Sequence, residues 1–130
     1  MRFLGIDYGT KRIGLALSDE EGKFAYPHVV LKNMPQVVEQ ISKICRDERG
    51  GEIGLGWSLN YRRRENPLMR RVNTFRTALA TATNLPIVLE DEVLTTREAD
   101  QEIGPDDFTD ARAAAIILRT YLAHRDIPVS

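Results

Sequence analysis

Three acidic positions carry the chemistry open to this chain: Asp7, the run Glu90, Asp91 and Glu92, and Asp110. Asp7 closes a short apolar run, residues 3–7. An ionised group at the end of a core strand costs several kcal/mol, as an order of magnitude, unless it is paired or bound to a metal. The acidic triplet follows directly on the apolar residues 87–89. Asp110 opens an alanine-rich stretch in which positions 110, 114, 117 and 121 share one helical face. Converging carboxylates suit hard divalent ions such as Mg²⁺ or Mn²⁺, which take oxygen ligands. Two such ions about 3.5–4 Å apart clamp the attacking and leaving oxygens of an in-line phosphoryl displacement. Each acid also has a plainer explanation: an Asx turn at Asp7, a solvated strand end at 90–92, a favourable helix dipole at Asp110. Taken singly the plain explanations prevail, and only convergence of all three positions favours a site. His28 and His124 are isolated and read as surface or packing residues.

The elements that must position these acids follow from periodicity and punctuation. Residues 3–7 and 13–17 read as a hairpin whose turn holds Gly9, where φ can be positive. Residues 24–31, after the turn at Glu21 and Gly22, read as a third strand completing an antiparallel meander. Pro35 opens a helix carrying Val37, Val38, Ile41, Ile44 and Cys45, and Gly50 and Gly51 end it. Residues 52–57 read as a strand buried on both faces. Asn66 and Pro67 start a second helix with Leu68, Val72, Phe75, Leu79 and Ala82 on one face. A fifth strand covers 87–89, a short helix begins near Thr95 with Glu98 at capping-box spacing, and the last helix spans about 109–124. The order βββαβαβαα predicts an α/β domain over residues 1–130: a five-stranded mixed sheet, antiparallel meander plus two parallel strands, flanked by helices. Strands 1, 4 and 5 then end on one edge, with acids at two of those ends.

Composition narrows the setting. With 42% hydrophobic and 28% charged residues and a net charge of −1, nothing in the whole molecule draws it to nucleic acid, so such binding must rest on a local patch. One cysteine rules out an internal disulfide framework, and a reducing interior is expected. With no signal segment or long apolar run, the expected place is the cytoplasm, away from membranes. The local patch is present: Arg62, Arg63 and Arg64 lie together, and Arg70, Arg71 and Arg76 follow on the second helix, with Trp57 and Tyr61 as neighbouring aromatic faces. Arginines hold phosphates bidentately and aromatics stack on unpaired bases, which predicts backbone binding without sequence readout.

Residues 5–16 (GIDYGTKRIGLA), 91–96 (DEVLTT) and Asp110 followed by Ala113, Ala114, Ile116, Ile117 and Leu118 together resemble the YqgF/RuvX family, in the right order over nearly the whole chain. The resemblance implies an RNase H-like fold and a nuclease acting on pre-16S rRNA or on Holliday junctions. It implies Asp7, Glu92 and Asp110 as the catalytic, metal-binding set; Glu92 is preferred to Glu90 only because it matches the acid of the family's motif. It implies Mg²⁺ or Mn²⁺ as cofactor, and structured RNA (pre-rRNA) or branched DNA as partner of a monomer or homodimer. The nucleic-acid-binding set is Lys11, Arg12, Asn60, Arg62, Arg63, Arg64 and Arg70. Two departures stand out: Val93 where the family usually has arginine, and a basic stretch 61–64 where it has glycine. Two rivals come from other classes. Asp7, Gly9 and Thr10 also resemble the phosphate-binding hairpin of the actin and sugar-kinase group, but that group needs two lobes and this chain has length for one. A non-catalytic RNA-binding module on the same fold is the other.

Overall fold

The computed structural model describes residues 1–57, 65–90 and 108–125, with side chains from Met69 onward in the second segment. β1 (Arg2–Tyr8), β2 (Arg12–Ser18) and β3 (Ala25–Lys32) form the expected meander. α1 (Val37–Asp47), β4 (Gly50–Trp57), α2 (Glu65–Thr83), β5 (Ile87–Glu90) and α3 (Thr109–Arg125) follow. The sheet order is β3-β2-β1-β4-β5, with β4 parallel to both β1 and β5. The helix expected near Thr95 and the basic loop 58–64 lie outside the described residues. Among the described residues no helix is long and apolar enough to cross a membrane.

Strand alternation gives the sheet two unlike faces. Leu4, Ile6 and Tyr8 of β1, Ile13, Leu15 and Leu17 of β2, and Ile53, Leu55 and Trp57 of β4 build the bulky core with Val37, Ile41 and Cys45 of α1 and Val72, Phe75 and Leu79 of α2. Burial pushes the Cys45 thiol up to about 11, so it carries no thiolate at neutral pH. The other face offers Phe3, Gly5, Ala16, Gly54 and little bulk, and α3 lies on it with Ala114, Leu118, Tyr121 and Leu122. A methyl group at Gly5 would stand 2.6 Å from Leu118 Cβ and 2.7 Å from the Ala114 carbonyl oxygen. The far end of α3 is pinned by an edge-on contact of Tyr121 with Phe3. There Arg125 sits 4.9 Å over the Phe3 ring and donates to Glu52 at 2.8 Å.

Several sequence expectations shift. β1 runs one residue beyond Asp7, and β3 starts after Phe24, which is exposed. Gly50 and Gly51 do not end α1: Arg49 takes the left-handed turn (φ 58) and both glycines enter β4, where the backbone packs against Met1. Ala82 is exposed rather than core-facing, one residue before α2 ends at Thr83. Gly9 does not adopt positive φ; it is needed because a Cβ there would collide with the Arg12 carbonyl.

The close seat of α3 is testable against a glycine with room. Gly50→Ala meets nothing nearer than 3.7 Å and should change stability by no more than about 0.5 kcal/mol. Gly5→Ala must push helix backbone away and should cost about 1–3 kcal/mol, read as a lower urea midpoint. Equal midpoints for the two variants would mean that α3 does not rest on Gly5.

Candidate active site

Asp7 is the innermost acid, 1% exposed, near the end of the central strand on the α3 side of the sheet. Its neighbours in register are glycines on both sides, Gly14 of β2 and Gly56 of β4. Glycine at 14 is obligatory: a Cβ there would overlap the Asp110 carbonyl and lie 2.7 Å from the Ala111 nitrogen. The first turn of α3 therefore sits directly on the residue that pairs with Asp7. Asp110, 5% exposed, enters the same corner, and the predicted stripe 110, 114, 117, 121 is buried throughout. The Arg12 guanidinium reaches back from the start of β2, its Nε 3.0 Å from Asp110 Oδ2.

The turn between β1 and β2 is braced from outside. Asn33, just past β3, donates its side-chain amide to the Gly9 carbonyl at 2.8 Å and its backbone N–H to the Lys11 carbonyl at 2.9 Å. Neither this brace nor the Arg12–Asp110 pair is read from the sequence above. The brace had a signal: the meander pairs Arg12 with Lys32, so residue 33 must fall beside residue 11. The ion pair had none, since it depends on where α3 lands.

Glu90 stands opposite Gly56, in the same cross-strand row as Asp7 and two strands away; at roughly 4.8 Å per strand that is about 10 Å between Cα atoms. Its Oε1 lies 3.1 Å from His124 Nδ1 on α3. His124 is thus not isolated, and Glu90 is engaged by the far end of the helix. Asp91, Glu92, Val93, Asn60, Tyr61, Arg62, Arg63 and Arg64 lie outside the described residues. Lys11 is exposed on the turn, and Arg70 is exposed on α2, across the sheet from Asp7. Trp57 is 6% exposed and packed in the bulky core, so it offers no stacking face. Its position in strand alternation made that burial readable.

Two nearly buried carboxylates, oxygen donors only, share one corner at the edge where parallel strands end. The glycines on both sides of Asp7 add no side chain of their own, and α3 fills the room they leave, with the Asp110 main chain over Gly14 and Ile117 over Gly56. This donor set fits a hard cation and offers nothing to a soft one. Among the described residues no third His, Cys, Asp or Glu joins them.

Sheet order and helix placement define a domain of the RNase H-like class. It is similar in fold to Thermus thermophilus RuvC bound to a Holliday junction substrate, with a TM-score of 0.62 and 18% identity over 96% of this chain and 95% of that one. It is also similar to the fowlpox virus Holliday junction resolvase, with a TM-score of 0.55 and 9% identity over 96% and 99%. The chain belongs to the RuvX family, whose model, described as Holliday junction resolvase, matches residues 1–124. Relatives named "Putative pre-16S rRNA nuclease" include one from Maridesulfovibrio salexigens, 34% identical over 95% of this chain and 98% of its own length. Another, from Bacillus subtilis, is 34% identical over 94% and 97%.

The ion pair at the site has a measurable weight. Arg12→Ala leaves the Asp110 carboxylate without its guanidinium and should lower metal-free stability by about 1 kcal/mol, since one partner is half-exposed. Thermal unfolding in EDTA at low and high salt reads it: the gap between wild type and variant should narrow with salt. Identical curves at both salts would mean that the pair is not made in solution.

Proposed function

We propose that this chain is a metal-dependent endonuclease that cuts structured RNA in maturing the 5′ end of pre-16S rRNA. The observation that carries the proposal is the shared seat of Asp7 and Asp110 around Gly14; the names of its relatives support the RNA substrate. Asp7 and Asp110, with Glu92 assigned by its motif, would hold Mg²⁺ or Mn²⁺. A pair of such ions held by these carboxylates would supply the Lewis acidity that in-line phosphodiester hydrolysis needs. Asp7 is the best-fixed ligand, because its strand is paired on both sides. Asp110 closes the site only when α3 is docked. Lys11, Arg12, Asn60, Arg62, Arg63 and Arg64 hold the phosphate backbone beside the acids and read no bases, while Arg70, across the sheet, meets a phosphate farther along the strand. The workplace is the cytoplasm. The family description favours a second reading, a Holliday junction resolvase. That enzyme cuts two strands symmetrically and needs a C2 dimer, whereas an RNA trimmer works as a monomer; sedimentation with each substrate separates them.

Asp7→Asn keeps volume and removes the charge that binds cations. Single-turnover cleavage of pre-16S rRNA and of a four-way junction, over Mg²⁺ and Mn²⁺ titrations, should fall at least about 100-fold. RNA binding should persist, and unfolding in EDTA should shift upward if at all, because like charges are relieved. Near wild-type cleavage by a folded Asp7→Asn protein would end the metal-nuclease reading. A wild type that binds RNA but cuts neither substrate would instead leave a binding module.

The arginine cluster is tested separately. Replacing Arg62, Arg63 and Arg64 by alanine should weaken binding to all sequences alike. Each lost phosphate contact should flatten the log–log salt slope by about 0.7–0.9. An unchanged slope would return these residues to a solvated face.

A further inference from the structure

The edge that carries Asp7 has a second concavity on the other side of the sheet. Between the end of β1, the start of α1 and the middle of α2 lies a cavity of about 360 Å³. Tyr8 and Phe75, 7% and 6% exposed, close its floor with ring edges only, their rings 5.0 Å apart and tilted by 49°. Met34, 48% exposed, forms part of its mouth, and Arg70 and Arg71, both exposed, stand on the α2 wall. No carboxylate is among its described lining residues. Its volume lies at the small end of ligand sites, which run from about 300 to 1,000 Å³, so it has room for one nucleotide and none for a duplex.

Apolar surface at Met34 and Val38 with two guanidinium groups, and no acid among the described lining residues, is chemistry that accepts a base together with its phosphate. The place is also apt. Tyr8 follows Asp7 directly, its side chain on the opposite face, and the wall residue Asn33 holds Gly9 and Lys11 of the turn between them and Arg12. A strand lying across the sheet edge at Asp7 therefore continues onto this cavity. We propose that the cavity is a subsite for one unpaired nucleotide of the substrate, its base on the apolar surface of Met34 and Val38 above the Tyr8 and Phe75 ring edges and its phosphate on Arg70 and Arg71. The inference rests on the nucleic-acid reading above for the strand that fills it. It makes the enzyme selective for cleavage positions beside an unpaired nucleotide, where extrusion from a helix costs least.

The test uses wild-type protein in EDTA, so that nothing is cut. A 12-nucleotide single-stranded RNA with a central 2-aminopurine is compared with the same strand in a full duplex, by anisotropy and by 2-aminopurine emission. Arg70→Ala/Arg71→Ala and Met34→Ala should each weaken single-strand binding about tenfold and duplex binding less than twofold. The arginine variant should flatten the single-strand salt slope by about 0.7, one phosphate's share, and both should lose the emission change. Equal losses on the two substrates would overturn the subsite and make the arginines general backbone contacts. No loss on either would overturn it in favour of another occupant, such as an apolar peptide. Failure of the nuclease reading is seen elsewhere: a wild type that cuts nothing, yet shows the selective single-strand losses, leaves the subsite in place.

Discussion

A helix backbone resting directly on a sheet is the contact from which the rest of this molecule follows. Side chains usually keep the two apart. Here Gly5 and Gly14 remove that spacer under α3, and Gly54 and Gly56 do the same beneath Tyr121 and Ile117. The helix can then descend until its first turn touches the strand beside Asp7. The arrangement is intolerant by construction, because what lies opposite Gly14 is main chain, which cannot rotate out of the way. A flexible side chain there would have left room for compromise.

The two faces of the sheet divide the labour accordingly. The face toward α1 and α2 is filled with Leu, Ile, Trp and Phe and supplies cohesion. The face toward α3 is built from small residues and supplies placement, with fewer large side chains to repay the burial of Asp7 and Asp110. Arg12 offsets part of that burden at Asp110. At the other end the helix is held by Arg125 on Phe3 and Glu52 and by His124 on Glu90. These contacts hold α3 in a single register along the sheet and leave the acid end nothing to decide.

Much of this is legible in the sequence. The apolar run ending in Asp7, the crossover rule and the stripe through 110, 114, 117 and 121 are enough to place two acids on one edge of a mixed sheet. What escapes is what depends on distance rather than periodicity. Gly9 looks like a residue chosen for its φ and is in fact chosen for the Arg12 carbonyl beside it. Gly50 and Gly51 look like a helix stop, while Arg49 makes the turn. Trp57 looks like a stacking face until strand alternation is followed to its end, where it turns into the core. His124 and Glu90 are 34 residues apart, and no local pattern joins them. The acid at 92 and the arginines at 62–64 are legible only through motif and composition.

The helix that completes the corner is also the last described element to be made. Asp7 and Asp110 are separated by roughly a hundred residues, which at about 5–20 residues per second takes some 5–20 s to translate. Through that interval the nascent chain already displays its first acid and its meander, but the seat on Gly14 stands empty and the second acid does not exist. In a protein with this connectivity the corner that joins Asp7 and Asp110 is completed only when the last described helix reaches Gly14, long after the strands beneath it have been made.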